Sequence, residues 1–345
     1  MAQPLNTDFD PAVLKGFLAN RFGDAAMTLE RIGGGQSNPT YFIDYGVHRM
    51  VLRKKPAGPI LRGAHAVDRE FRVLEALAPT NVPAPGPLLY HDGIEPLGTP
   101  FYLMERLDGR VFHDCSLPGL SPAERRGIYF GMAEAMAKLH AVRPDEVGLG
   151  DYGRPGNYFE RQIGRWTRQL RESPSDRIPA LEAVADWLPQ HMPADDGRVS
   201  IAHGDFRLGN LLFHPGKPEV IGILDWELST VGHPLADLGF CSMTWHSTPD
   251  EYGGILGLDH DALGIPSQRE FLDHYFAHAV PTAPLQRFHL VFSLFRFAVI
   301  FVGIADRARA GSAASADAAG KWPLAGRFAV RAQEIIQGAR PWSAA

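Results

Sequence analysis

The sequence predicts an α+β protein of two lobes: a small antiparallel β-sheet lobe with one main helix, then a larger, mostly helical lobe. Three observations carry that reading. Short β-rich runs crowd the first hundred residues, helical periodicity takes over after Gly109, and only two strand-like pieces, at 203–213 and 220–227, interrupt the helical part. With 345 residues and 45% hydrophobic content, the chain can fill two cores of ordinary size. The division is placed between 1–107 and 108–345, with a hinge near 104–109.

The elements follow in order. "DPAVLKGFLANRFG" (10–23) has apolar residues at helical spacing and stops at glycine, so it predicts a short amphipathic helix. Residues 27–56 then read as consecutive antiparallel strands, broken by "GGGQSN" and by "DYG". Helical spacing returns in "HAVDREFRVLEALA" (65–78) through Val67, Phe71, Leu74 and Leu77. The prolines of 81–93 exclude a helix there, and "TPFYLMERLDG" (99–109) reads as the last strand of the lobe, leading into a linker. Beyond it, helices are expected over 121–142, 157–172, 179–190, 267–279 and 285–309, the first with Pro122 suited to an opening turn. The "AGSAASADAAG" stretch (310–320) reads as a lightly packed loop.

Composition excludes several functions. A formal net charge of −5 shows no general nucleic-acid footprint. Cys115 and Cys241 are the only two cysteines and have no metal-ligand spacing, so neither a disulfide framework nor a structural zinc site is expected. Two free thiols suit a reducing, cytoplasmic setting, and "MAQPLNTDFD" has no secretory pattern. The most apolar window, 290–305, is short for a membrane span and carries Arg296, so a buried helix is expected and no membrane partner. The G-x-S-x-G, H-E-x-x-H and G-x4-G-K-[ST] patterns are all absent.

The chemistry-bearing stretch is "HGDFRLGNLLF" (203–213). Burying its polar groups without partners would cost several kcal/mol each, roughly 2–7 per uncompensated group. Asp205 and Asn210 lie five apart, and Asp225 ends the next apolar run in "VIGILDWE". A carboxylate to accept a hydroxyl proton, an amide oxygen and a second carboxylate for magnesium are what phosphoryl transfer needs. A metal-dependent phosphoesterase could instead use His203, Asp205, Asp225 and His233, but it would leave the N-terminal lobe unexplained.

D-x4-N followed by "ILDWE" resembles the catalytic loop and metal-binding aspartate of the aminoglycoside phosphotransferase and choline kinase-like family, relatives of protein kinases, and the likeness covers nearly the whole chain. It implies a protein-kinase-like fold, a nucleotide-binding role for 1–107 and a catalytic, acceptor-binding role for 108–345. The cofactors implied are ATP (or GTP) and Mg2+. "GGGQSN" is similar to the loop covering nucleotide phosphates, with Gly34 and Gly35 admitting backbone N–H groups and Ser37 and Asn38 as phosphate contacts. "VLRKKP" falls where kinases place a phosphate-binding lysine; here Arg53 takes the position, with Glu70 of "DREFRVL" as its helix partner. "YLMERLDG" resembles the hinge, whose backbone from Glu105 to Leu107 would meet the base. The resemblance makes Asp205 the base, gives Asn210 and Asp225 the metal, and leaves His203 and Asp237 of "GHPLADLGF" as structural support.

For the acceptor, "NYFERQIGRWTRQLRE" (157–172) sets Arg161, Arg165 and Arg168 at i, i+4 and i+7, one face of a helix. Such a face repels a polycation and holds a phosphate-bearing acceptor; a solvated helix with its arginines paired is the plainer reading. "GGQSNPTY", "GTPFYLMERLDGRVF" and "NYFERQIGRWTRQ" resemble the kinase-like domain fused to acyl-CoA dehydrogenases and its free-standing bacterial relatives. That subgroup implies a hydroxyacyl-CoA acceptor. Another small alcohol (an aminoglycoside, a choline-like compound or a sugar) and a non-enzymatic, nucleotide-binding pseudokinase are the alternatives.

Overall fold

The computed structural model describes residues 7–33, 38–58, 65–154, 156–309, 322–340 and 342. It divides into two compact units, Met1–Asp108 with Gly222–Glu227, and Gly109–Ile221 with Leu228–Ala345. The expected boundary left 222–227 in the second lobe. Those residues cluster with the first unit, where Arg53 holds Asp225 and Ile223 N–H donates to Pro83.

The first unit opens with α1 (Pro11–Phe22), capped by Asp10, whose side chain accepts the Ala12 N–H. Strands β1 (Met27–Arg31), β2 (Thr40–Tyr45) and β3 (His48–Lys54) follow as an antiparallel meander. The β2–β3 turn needs only Gly46 and Val47, with Gly46 at φ +57°, a region where a side chain is disfavoured. Next come α2 (Val67–Leu77), β4 (Pro87–His91) and β5 (Phe101–Glu105), giving the sheet order β1-β2-β3-β5-β4. β4 was not expected. Its prolines exclude helix as predicted, yet at the sheet edge a proline that opens a strand breaks no interior ladder. One sheet face packs Ile43, Met50, Leu52 and Leu103 against Leu14 and Leu18 of α1. Alternation along β3 sends Arg53 to the other face, where α2 lies, while Lys54 is buried and bonded to Asp8.

In the second unit α3 (Pro122–Ala141) begins with a Ser121–Glu124 capping box, and α4 (Tyr158–Glu172) and α5 (Pro179–Gln190) follow. Strand β6 (Ser200–Ala202) leads into the 203–210 loop; β7 (Leu211–Phe213) and β8 (Val220–Ile223) form a hairpin; β9 (Thr230–Gly232) pairs antiparallel with β6. β6 and β9 are additions to the two strand-like pieces expected. At three residues each, they are too short to show alternation. Then come α6 (Pro234–Ser242), α7 (His260–Leu263), α8 (Gln268–His278), α9 (Arg287–Arg309) and α10 (Trp322–Ile336). Among the described residues, α9 is the one helix long and apolar enough to cross a membrane; most of it is buried inside the protein, packed on α6 and α10. α10 lies beyond the loop expected at 310–320 and was not anticipated, although Ala325, Phe328, Ala329, Ala332 and Ile335 have helical spacing.

Candidate active site

The expected site residues fall into two groups, one in each unit. In the first unit the strand register sets Arg53 opposite Tyr102, on the face covered by α2. Glu70, 1% exposed, receives hydrogen bonds from Asn38 Nδ2 at 2.7 Å and the Tyr102 hydroxyl at 3.1 Å. Arg53 Nε stands 2.7 Å from the same carboxylate, though its N–H is not aligned for a hydrogen bond, so the contact is ionic. Arg53 Nη2 donates to Asp225 Oδ1 at 2.6 Å. Burial by itself would lower the guanidinium pKa; Glu70, Tyr102, Asp225 and Glu227 outweigh it and raise it. Burial pushes the Glu70 carboxyl up, opposed by Arg53; with donors on every side, the ionised form fits the geometry. Asp225 adopts φ +65°, an uncommon and strained conformation for a residue with a side chain, of the kind found at functional sites.

Some expectations here are modified. Asn38 is 4% exposed and its oxygen faces His65 Nδ1 at 3.0 Å while its nitrogen serves Glu70. An amide engaged at both ends supports Glu70 rather than reaching a phosphate. Gly34, Gly35 and Ser37 lie outside the described residues. At the hinge, Glu105 N–H donates to Gly86 and Arg106 N–H to Arg49, so these two amides serve the sheet; Leu107 is half-buried beside them.

The second unit holds the 203–210 loop. His233 caps α6, and Asp237 sits inside the first turn of that helix. From there its two oxygens accept the backbone N–H groups of His203 at 2.6 Å and Gly204 at 2.8 Å. Burial would raise the Asp237 carboxyl; His140, His203 and the Gly204 amide bring it below the ordinary range. Gly204 has φ +83°, and a Cβ there would lie 2.6 Å from the Leu228 carbonyl oxygen, so this turn needs glycine. Next to it, His203 is fully buried, and its Nδ1 accepts the Asp205 N–H at 3.2 Å. Asn210 closes the loop by donating from Nδ2 to the Asp205 carbonyl at 2.9 Å and to Asp205 Oδ2 at 2.7 Å. With the nitrogen so committed, the oxygen end of Asn210 is the one left for a cation. Arg207 Nε also reaches Asp205 Oδ2, at 3.3 Å.

Sequence reasoning missed two supports of this loop. Arg296 of α9 donates to the Gly204 carbonyl at 2.7 Å. Its signal was present: it is the single charge in an apolar window of a buried helix. His140, buried in α3, is the second, bridging Tyr275 OH at 2.8 Å and Asp237 Oδ2 at 3.3 Å.

The three α4 arginines share the helix face opposite Phe159, Ile163, Trp166 and Leu170, but not one cavity. Arg161 lines a cavity of about 720 Å³ with His233 and His289. Arg168 lines a separate groove on the α5 side. Arg165 stacks its guanidinium over Trp166, 4.9 Å from the ring centroid; partial burial, then the like charge of Arg296, lowers its pKa.

Residues 28–280 match the phosphotransferase enzyme family, most of the chain, and the chain belongs to that family. A Ralstonia eutropha protein provisionally named an aminoglycoside phosphotransferase shares its fold at TM-score 0.86 and 42% identity, over 96% of this chain and 100% of that one. Choline kinase from Cryptosporidium parvum (TM-score 0.64, 14% identity, 96% and 97% covered) shows the same fold. So does an aminoglycoside phosphotransferase solved with AMP-PNP and hygromycin B (0.61, 14%, 94% and 97%). Mouse acyl-CoA dehydrogenase family member 10 is 41% identical over 309 residues, 88% of this chain and 29% of its own length. Human family member 11 is 40% identical, with 88% and 39% covered. The chain thus spans about a third of these relatives.

Proposed function

We propose that this phosphotransferase moves the γ-phosphoryl group of ATP to a hydroxyl of a hydroxyacyl-CoA. The observation that carries the class-level chemistry is the 203–210 loop: a partly exposed carboxylate, Asp205, clamped by Asn210, in a loop whose His203 and Gly204 backbone N–H groups are held by Asp237. Asp205 accepts the acceptor's hydroxyl proton. Because the transition state is loose, an ordinary aspartate suffices as base. Arg53, fixed by Glu70 and Asp225, presents a permanent cation to phosphate oxygens.

The donor set fits a hard divalent cation. Asn210 offers its amide oxygen, and Asp225 is a third exposed with only Oδ1 taken by Arg53 among the described bonds. Asn210 in the second unit and Asp225 in the first each offer an oxygen of the kind that ligates Mg2+, which when bound would neutralise charge on the nucleotide phosphates. The AMP-PNP held by a protein of the same fold supports a nucleoside triphosphate donor, ATP or GTP.

The acceptor reading rests on the names of the 40–41% identical relatives, which are acyl-CoA dehydrogenase family members, and on the cationic face of α4. A CoA thioester brings the phosphates such a face would attract, and an aminoglycoside does not. The setting proposed is cytoplasmic, where free thiols and acyl-CoA both occur.

The test is ADP release with a panel of hydroxyacyl-CoAs, aminoglycosides, choline and sugars. Turnover on hydroxyacyl-CoA alone supports the proposal. Turnover only on an aminoglycoside or choline overturns the acceptor and keeps the class. Arg161→Glu with Arg165→Glu should raise the acyl-CoA KM at least tenfold and leave the ATP KM unchanged; an unchanged acceptor KM removes α4 from the acceptor site.

A further inference from the structure

We propose a transition-metal site of the zinc class on the outer side of the second unit, formed by Glu134 of α3 and by His274 and His278 of α8. The two histidines are four apart on one helix and so share a face. Glu134 comes to that face from α3, and one ligand atom from each of the three residues falls within 4.8 Å of the others. His274 Nε2 and Glu134 Oε1 are 2.9 Å apart, close to the edge of about 3.3 Å between N and O ligands on tetrahedral zinc. A metal can therefore replace the proton they share with little movement.

Two features orient the rings. His278 Nδ1 donates to the His274 carbonyl at 2.8 Å, which fixes the tautomer with the lone pair on Nε2. Phe130 of α3 stacks on His274 at 4.2 Å and 11°, holding that ring toward Glu134. The His278 ring, held by its own bond to the His274 carbonyl, lies with its centroid 4.5 Å from that of His274, which brings a third ligand group to the His274–Glu134 pair. Two neutral imidazoles and one carboxylate make a mixed nitrogen and oxygen set, which selects zinc-like ions over the all-oxygen preference of magnesium and calcium. The remaining coordination positions would hold water.

The site would pin α3 to α8. These helices also meet through His140 and Tyr275, the residue after His274.

The experiment titrates untagged, chelator-treated full-length protein with Zn2+ alone by calorimetry, and with Co2+ alone by visible spectroscopy. Expected are one zinc equivalent, a protein-bound Co2+ spectrum, and a rise in Tm with Zn2+ that Mg2+ does not produce. His278→Ala, at an exposed position, should weaken zinc at least tenfold, as should Glu134→Gln. Absence of a bound equivalent overturns the proposal. So does undiminished binding in either folded variant, which would place the ion elsewhere among the fourteen histidines.

Discussion

At the scale of single residues, the carboxylates differ in what holds them, and so in what their removal does. Asp205 is clamped by Asn210 within its own loop, whereas Asp225 answers to Arg53 of β3. Asp205→Ala should therefore lower kcat by about 10²–10⁴ and leave nucleotide affinity intact, measured by ADP release and by nucleotide titration. Asp225→Ala should weaken Mg·ATP binding as well; equal nucleotide affinity in the two variants would contradict the division of roles. Arg53 has a structural charge too. Arg53→Ala strands the buried Glu70 carboxylate, and urea unfolding should report a loss of about 3 kcal/mol. Arg53 was legible as the third-strand cation from the resemblance of "VLRKKP" alone. Its double engagement was not, since Asp225 is 172 positions away.

At the scale of elements, the 203–210 loop is held by helices rather than by its own strands. β6 and β9 are three residues each, and the loop's backbone hydrogen bonds go instead to Asp237 of α6 and Arg296 of α9. Arg296→Met keeps the length and apolar stem but removes the donor to the Gly204 carbonyl. It should cost about 1.5–3 kcal/mol, the range for a hydrogen bond to a charged group, and lower kcat more than KM. Stability and kcat equal to wild type would show that the bond contributes nothing. Gly204→Ala should be worse than its size suggests, because φ +83° and the Leu228 carbonyl both oppose a Cβ. The long helices were legible from periodicity, capping residues and Pro122. The edge strand β4 and the short β6 and β9 were not, because their pairing partners are distant in sequence and their length shows no period.

At the scale of the whole molecule, buried histidines set the acid limit of stability. Burial, then the neighbouring His233, pushes His289 down to about 3, and burial lowers His246 as well. Both are neutral in the fold and take up a proton when unfolded below about pH 6.5. The unfolded state then binds more protons, so stability falls as pH drops from about 6.5 toward 3 by up to about 1.4 kcal/mol per pH unit for His289, and His246 adds a loss in the same direction. Asp196, lowered to about 2 by the Arg198 amide and His233 against the pull of burial, adds a loss that begins only below about pH 4. Thermal unfolding between pH 4 and 7 checks this. His289→Gln should flatten the slope, and an unaltered slope would mean that His289 already carries a proton in the fold.

By itself the sequence determined the α+β class, the order of the main elements and the loop that bears Asp205 and Asn210, because periodicity and motif spacing are properties of neighbours along the chain. Only the tertiary structure decided that Arg53 joins Glu70 to Asp225, that Asn38 serves Glu70, that Arg296 and Asp237 hold the loop backbone, and that the α4 arginines part to different cavities. Those contacts join groups far apart in the chain, and their strength comes from burial, which no local pattern encodes.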